Sequence, residues 1–171
     1  MGSEGVKPTR SDLVAAADRL VPDVIRPDLD VLFCGINPGL YSAYMGHHFA
    51  RPGNRFWPAL YASGFTPSRF RPDEERELLP LGYGITNIVS RASAVASELT
   101  ERELRAGAEQ LLLKVEANRP RTVAVLGVTA FRSAFQRPVA KLGRQADAPG
   151  MTQWWVLPNP SGLNAHYNAA Q

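Results

Sequence analysis

The sequence predicts a three-layer α/β/α domain with a central four-stranded, mainly parallel sheet, and three observations carry that prediction. Four short apolar runs, at residues 31–36, 85–89, 123–126 and 154–157, each read as a strand buried on both faces. Segments with helical spacing and good start signals lie between them, and strands alternating with helices fold into a largely parallel sheet covered on both sides. The first and last runs each end in a loop rich in Gly, Pro and Asn, which places two polar loops at the carboxyl edge of the sheet, where open α/β folds bind ligands.

Residues 1–10 are polar and rich in turn formers, and are expected to be a disordered N-terminal segment outside a single domain spanning 11–171. Ser11-Asp12 is placed to cap a helix that runs through Leu13-Val14-Ala15-Ala16-Ala17 to about Leu20, with Pro22 ending it. The first strand, at 31–36, leads into Gly35-Ile36-Asn37-Pro38-Gly39. Residues 54–64 carry Phe56, Leu60 and Tyr61 on one side of a helix. After the second strand, Thr100-Glu101-Arg102-Glu103 has the capping-box pattern and opens a helix that Asn118 and Pro120 stop. The third strand turns at Gly127-Val128-Thr129-Ala130-Phe131 into a short helix reaching about Phe135. The fourth, at 154–157, delivers Pro158-Asn159-Pro160-Ser161-Gly162-Leu163 to the same edge as the first loop.

Bulk properties exclude several classes. A chain of 171 residues, 44% apolar and 20% charged, is an ordinary globular protein that needs no second domain. Its net charge of +3 and pI near 9.3 are compatible with a polyanionic partner but too mild to establish one. Cys34 is the only cysteine and sits in an apolar run, so it reads as a buried inert thiol, and no disulfide framework or Cys-rich metal centre can be built within one chain. His47 and His48 are adjacent, point in different directions and lack a third ligand at a recognisable spacing, so no metal site is expected. No stretch approaches the ~18 apolar residues of a membrane span, and the first ten residues lack a signal-peptide core, which leads to an expectation of a cytosolic protein, nuclear if eukaryotic.

Four segments in order, Gly35-Ile36-Asn37-Pro38-Gly39-Leu40, Gly46-His47-His48-Phe49, Pro52-Gly53-Asn54-Arg55-Phe56-Trp57 and Asn159-Pro160-Ser161-Gly162-Leu163, resemble the motifs of the mismatch-specific uracil/thymine-DNA glycosylases of the uracil-DNA glycosylase superfamily. The likeness spans roughly residues 29–168. It implies a monofunctional DNA glycosylase that hydrolyses the N-glycosidic bond of uracil mispaired with guanine in duplex DNA, with thymine and other damaged pyrimidines as further candidates. It also implies base flipping and no cofactor. No strand cleavage is expected, because no motif places a lysine as an amine nucleophile, and the oligomeric state is open with monomer the default. Asn37 matches the asparagine that positions the attacking water; an amide has little proton affinity near neutral pH, but its carbonyl can orient a water. Without the resemblance, Asn37 before Pro38 reads as an Asx turn. Ile36 matches main chain beside the flipped base, Ser42 a position that shapes preference among pyrimidines, and Phe49 the aromatic that stacks on the base. In the family the Asn-Pro-Ser-Gly loop inserts a wedge, which makes Gly162 and Leu163 the candidates here, with Asn159, Ser161 and Asn164 as donors to phosphates or base edges. Arg51, Arg55 and Lys141 are candidate phosphate contacts, with structural salt bridges an equal reading for the two arginines.

The chain departs from the family pattern at three places. Ala165 stands where an arginine is frequent, Ser90-Arg91 stands where an acidic residue is frequent, and the sequence ends at Gln171, where relatives continue into a closing helix, so that helix is expected to be lacking. Ser93 carries no charge with which to replace the missing carboxylate. Two rival readings follow: a non-catalytic nucleic-acid-binding module on the same fold, and an enzyme binding a nucleotide or sugar phosphate at the same edge. The second lacks both a GxGxxG fingerprint and a Gly-Lys-Ser/Thr phosphate loop.

Overall fold

The computed structural model describes residues 6–148 and 150–161. Its centre is a sheet in the order β2-β1-β3-β5-β4, made by β1 (Val31–Gly35), β2 (Tyr83–Asn87), β3 (Thr122–Leu126), β4 (Gly143–Gln145) and β5 (Gln153–Leu157). The first three and β5 run parallel, while β4 pairs antiparallel with β5 at the edge. The mainly parallel α/β/α prediction holds, with five strands in place of four. β4 is short and has no apolar run, because an edge strand owes its place to backbone pairing more than to burial.

Burial explains two smaller differences. β1, β2 and β3 are buried along most of their length, but β5 alternates: Trp154 and Val156 are covered while Trp155 is 37% exposed. The expectation of burial on both faces therefore fails for this strand, whose outer face lies near the sheet's antiparallel margin. β2 starts two residues before its apolar run and ends at Asn87. Ile88 and Val89 leave the strand and donate their N–H groups to Gly35 O and Ile36 O, both at 2.9 Å.

One face of the sheet, with Leu32, Cys34, Val123, Val125, Trp154 and Val156, packs against α4 (Glu101–Asn118) and α5 (Val128–Ala134). The other, with Phe33, Ile85, Ala124 and Leu126, packs against α3 (Phe56–Ala62) and Leu78 of a 3-10 segment, Pro72–Leu81. Each fully buried side chain of this size contributes about 1.5–3 kcal/mol relative to exposure. Burial also pushes the Cys34 thiol pKa up, consistent with an inert thiol.

Helix starts follow local chemistry. At α4 the Thr100 hydroxyl accepts from Glu103 N at 3.1 Å and Glu103 Oε2 accepts from Thr100 N at 2.9 Å, the expected capping box. α1 (Arg10–Ala15) opens earlier than Ser11-Asp12 suggested, because Thr9 caps it and Asp12 is the reciprocal partner, and it ends at Ala15, well before Leu20. α3 buries Phe56, Trp57 and Leu60, whereas Tyr61, expected on the same face, is 50% exposed. A short α2 (Leu40–Met45) follows the first loop directly. No helix of the described residues is long and apolar enough to cross a membrane.

Candidate active site

A cleft of about 880 Å³ opens at the carboxyl edge of the parallel strands. The loop after β1 and the Pro158–Ser161 segment after β5 both line it, as the two polar loops led us to expect, and the loops after β2 and β3 join them. Ile36, Asn37, Ser42, Phe49, Arg51, Asn159 and Ser161 all border this cavity. Gly162, Leu163 and Asn164 lie outside the described residues.

Asn37 is held by its amide nitrogen. Nδ2 donates to Arg91 O and to Ser93 Oγ, each at 2.8 Å. A carbonyl oxygen can only accept, and the Ser93 hydroxyl already donates to Val95 O at 2.8 Å, so both partners demand the NH2 end of the amide. The orientation of the side chain is thereby set. Among the described residues Oδ1 accepts no hydrogen bond, leaving the carbonyl as the group offered to the cleft. Nor is the backbone loose: the Gly35–Gly39 turn is zipped to the loop after β2, where Ser93 N donates to Pro38 O at 3.1 Å beyond the Ile88 and Val89 bonds. The Asx turn before Pro38, the alternative reading of Asn37, is not the bond its side chain makes.

Phe49 occupies the left-handed region with φ 51°, unusual for an aromatic residue, and its neighbours hold it there. His48 N donates to Glu75 Oε2 at 2.7 Å, Trp57 Nε1 donates to His48 O at 3.2 Å, and Ala50 N donates to Ser42 Oγ at 3.1 Å. The ring stacks on Phe56 with centroids 4.1 Å apart and borders the cleft. Ser42 is thus 5% exposed and supports the turn carrying Phe49 as well as bordering the cavity. His47 pairs with Glu75 at 3.1 Å. His48 Nε2 faces Pro22 O at 2.8 Å and must carry the proton there, since the carbonyl only accepts. Burial is the main cause lowering the His48 pKa, so the ring is neutral and Nδ1 is an acceptor.

That acceptor faces Asn87, which the sequence reading missed. Asn87 closes β2, its Nδ2 lies 3.4 Å from His48 Nδ1, and its side chain borders the cleft. The one sequence signal was an amide in the middle of the apolar run 85–89. Ser93 was set aside for lacking charge, yet its hydroxyl is one of the two groups that orient Asn37.

The candidate cations separate. Arg55 Nη2 donates to Ser161 O at 2.6 Å and its backbone N–H to Pro160 O at 2.9 Å, so its guanidinium ties down the Asn-Pro-Ser loop through a main-chain carbonyl, a contact that is neither of the two expected for it, a phosphate or a salt bridge. Asn159 Oδ1 accepts from Ser161 N at 2.9 Å, an Asx turn that shapes the same loop. Arg51 is exposed on the rim, and Lys141 is exposed beside the cleft-lining Leu142 without bordering the cleft itself. Among the described residues, the lining contains no Asp, Glu or Lys, and no group of three or more His, Cys, Asp or Glu side chains is placed to hold a metal.

Fold and site together define an α/β protein with a ligand cleft at the carboxyl edge of its sheet, furnished with amides and one stacked aromatic ring. The chain matches the family model of the uracil DNA glycosylase superfamily over residues 22–171, and it belongs to that family. Its activity is therefore of the DNA glycosylase type and its partner is DNA.

Proposed function

We propose that this protein is a monofunctional DNA glycosylase acting on uracil mispaired with guanine in duplex DNA. The observation that carries this reading is the Asn37 amide, fixed through Nδ2 at the edge of a cleft with no carboxylate in its described lining, its carbonyl oxygen accepting no hydrogen bond among the described residues. A base must leave the duplex to reach such a site, at a cost of a few kcal/mol that is least at a mismatch. Phe49 would then stack on it, and the Asn87 amide at the end of β2 could both donate to and accept from a pyrimidine edge. As the C1′–N1 bond breaks, its electron pair leaves with the base. A water held by Asn37 Oδ1 forms the new C1′–O bond, and its proton passes to solvent or to the departing base. With no strong base to deprotonate the water early, the bond must be largely broken before attack, so stabilising the anionic base is the main task of the cleft. The products are free base and an abasic site; no lysine lines the described cleft to serve as an amine nucleophile for strand cleavage.

The test is to incubate the protein with labelled duplexes carrying one G:U, A:U or G:T pair, then treat with hot alkali. Breakage at the uracil of G:U, faster than at A:U and absent without alkali, is expected. Equal rates on G:U and A:U would remove mismatch specificity, and intact strands with bound DNA would instead identify a binding module without turnover.

A further inference from the structure

The two groups that orient Asn37 are not equally anchored. Ser93 is buried at 3% exposure and its N–H is bonded to the motif loop itself. Arg91 is exposed and lies outside any helix or strand, yet its carbonyl must hold a 2.8 Å bond to Asn37 Nδ2. Its own side chain is what restrains it. Arg91 Nε and Nη2 clasp Glu103 Oε1 and Oε2 at 2.7 and 3.1 Å, and Nη2 also donates to Glu98 O at 3.3 Å. Glu103 is itself fixed on the first turn of α4 by Thr100 N at 2.9 Å. The strap thus runs from an 18-residue helix packed on the sheet to the carbonyl that fixes the amide.

We propose that Arg91 and Glu103 are positioning residues for the glycosylase step, acting through Asn37 and never touching DNA. This rests on the reading that Asn37 orients the water. An exposed ion pair contributes little to stability, since solvent screens it. A two-pronged guanidinium–carboxylate pair does, however, fix geometry. Neither side chain borders the cleft. Releasing the strap leaves Asn37 with the Ser93 bond alone, free to turn Oδ1 away from its water, and misplacing a reacting group by about 1 Å can slow a reaction by up to 10²-fold.

The experiment measures single-turnover rates on a G:U duplex and affinity for a duplex carrying a non-cleavable abasic analogue. Arg91→Ala and Glu103→Gln should each slow the chemical step about tenfold with affinity unchanged. The two substitutions alter charge in opposite senses, so a DNA contact would move their affinities in opposite directions, and that result would overturn the proposal. Glu101→Gln, which removes a carboxylate from the same first turn of α4 by breaking the exposed Glu101–Arg105 pair but leaves the strap, should keep the rate. In an Asn37→Ala background, Arg91→Ala should have no further effect. A full rate in Arg91→Ala alongside a crippled Asn37→Ala sinks the strap and leaves the Asn37 reading standing; a full rate in Asn37→Ala sinks that reading itself.

Discussion

A methyl group at Gly35 would sit 2.5 Å from Asn87 Oδ1 and 3.3 Å from the Phe49 ring, so this glycine sets the floor of the cleft by having no side chain. The nearest obstacle is the end of a side chain, not backbone. Gly35→Ala should therefore fold with a melting temperature close to the parent while displacing Asn87, and the single-turnover rate on G:U should fall about tenfold; a large melting shift with full activity would contradict this. Phe49→Ala removes the proposed stacking surface, which is worth about 1–3 kcal/mol per base and predicts a 5- to 150-fold lower kcat/KM. At this scale the sequence was legible wherever a residue sat in a motif. Asn37 and Phe49 stood out for that reason, whereas Asn87 and Ser93 are ordinary polar residues whose roles depend on loops from separate strands meeting at one edge. The two neighbours of Phe49 in its motif, His47 and His48, serve the structure by tying that aromatic turn to Glu75 and Pro22.

The longest helix is where element-scale reasoning works best. Its start was legible because the capping box is a local pattern of side chain and backbone, complete within four residues. Its packing was not, because Gly107 looks like a flaw in a helix until the fold shows what lies against it. A Cβ there would collide with the backbone carbonyl of Ile88, on the strand-exit segment that carries Val89 toward Ile36 O. Gly107→Ala should thus destabilise the protein, although alanine in an unobstructed helix gains about 1 kcal/mol over glycine; chemical denaturation showing a more stable variant would refute the close approach. The other elements that escaped the sequence share a cause. β4 has three residues and no apolar run, α2 is one short helix between two motif segments, and the 3-10 segment Pro72–Leu81 contains Pro80, so periodicity had little to register.

For the molecule as a whole, pH and salt report on different parts of the account. His48 is buried beside Glu75, Asp23 and His47, and burial, the largest influence, holds its pKa below the ordinary 6.5. The unfolded chain then binds the extra proton first, so stability should be full above about pH 7 and decline as pH falls through 6.5 toward the lower folded value. Carboxylates held low, such as Glu103 near 2, lose their contribution only at more acid pH, below the window in which His48 acts. Melting curves of the parent should show that slope and His48→Gln should flatten it; an identical slope in the variant would assign the effect elsewhere. Duplex affinity should fall with added salt, because neutralising phosphates releases counterions, and a flat response would count against DNA. The sheet, its direction and the edge at which ligands bind were legible from four apolar runs, since strand burial is written in composition; the fine geometry of the cleft was not, since it comes from hydrogen bonds between distant loops. The central claim is that the Asn37 carbonyl orients the attacking water. It is tested most directly by comparing parent and Asn37→Ala in single-turnover release of uracil from a G:U duplex, with affinity measured in parallel. A rate lower by on the order of 10² or more at unchanged affinity is the predicted result, and a variant that releases uracil at the parental rate would contradict the account.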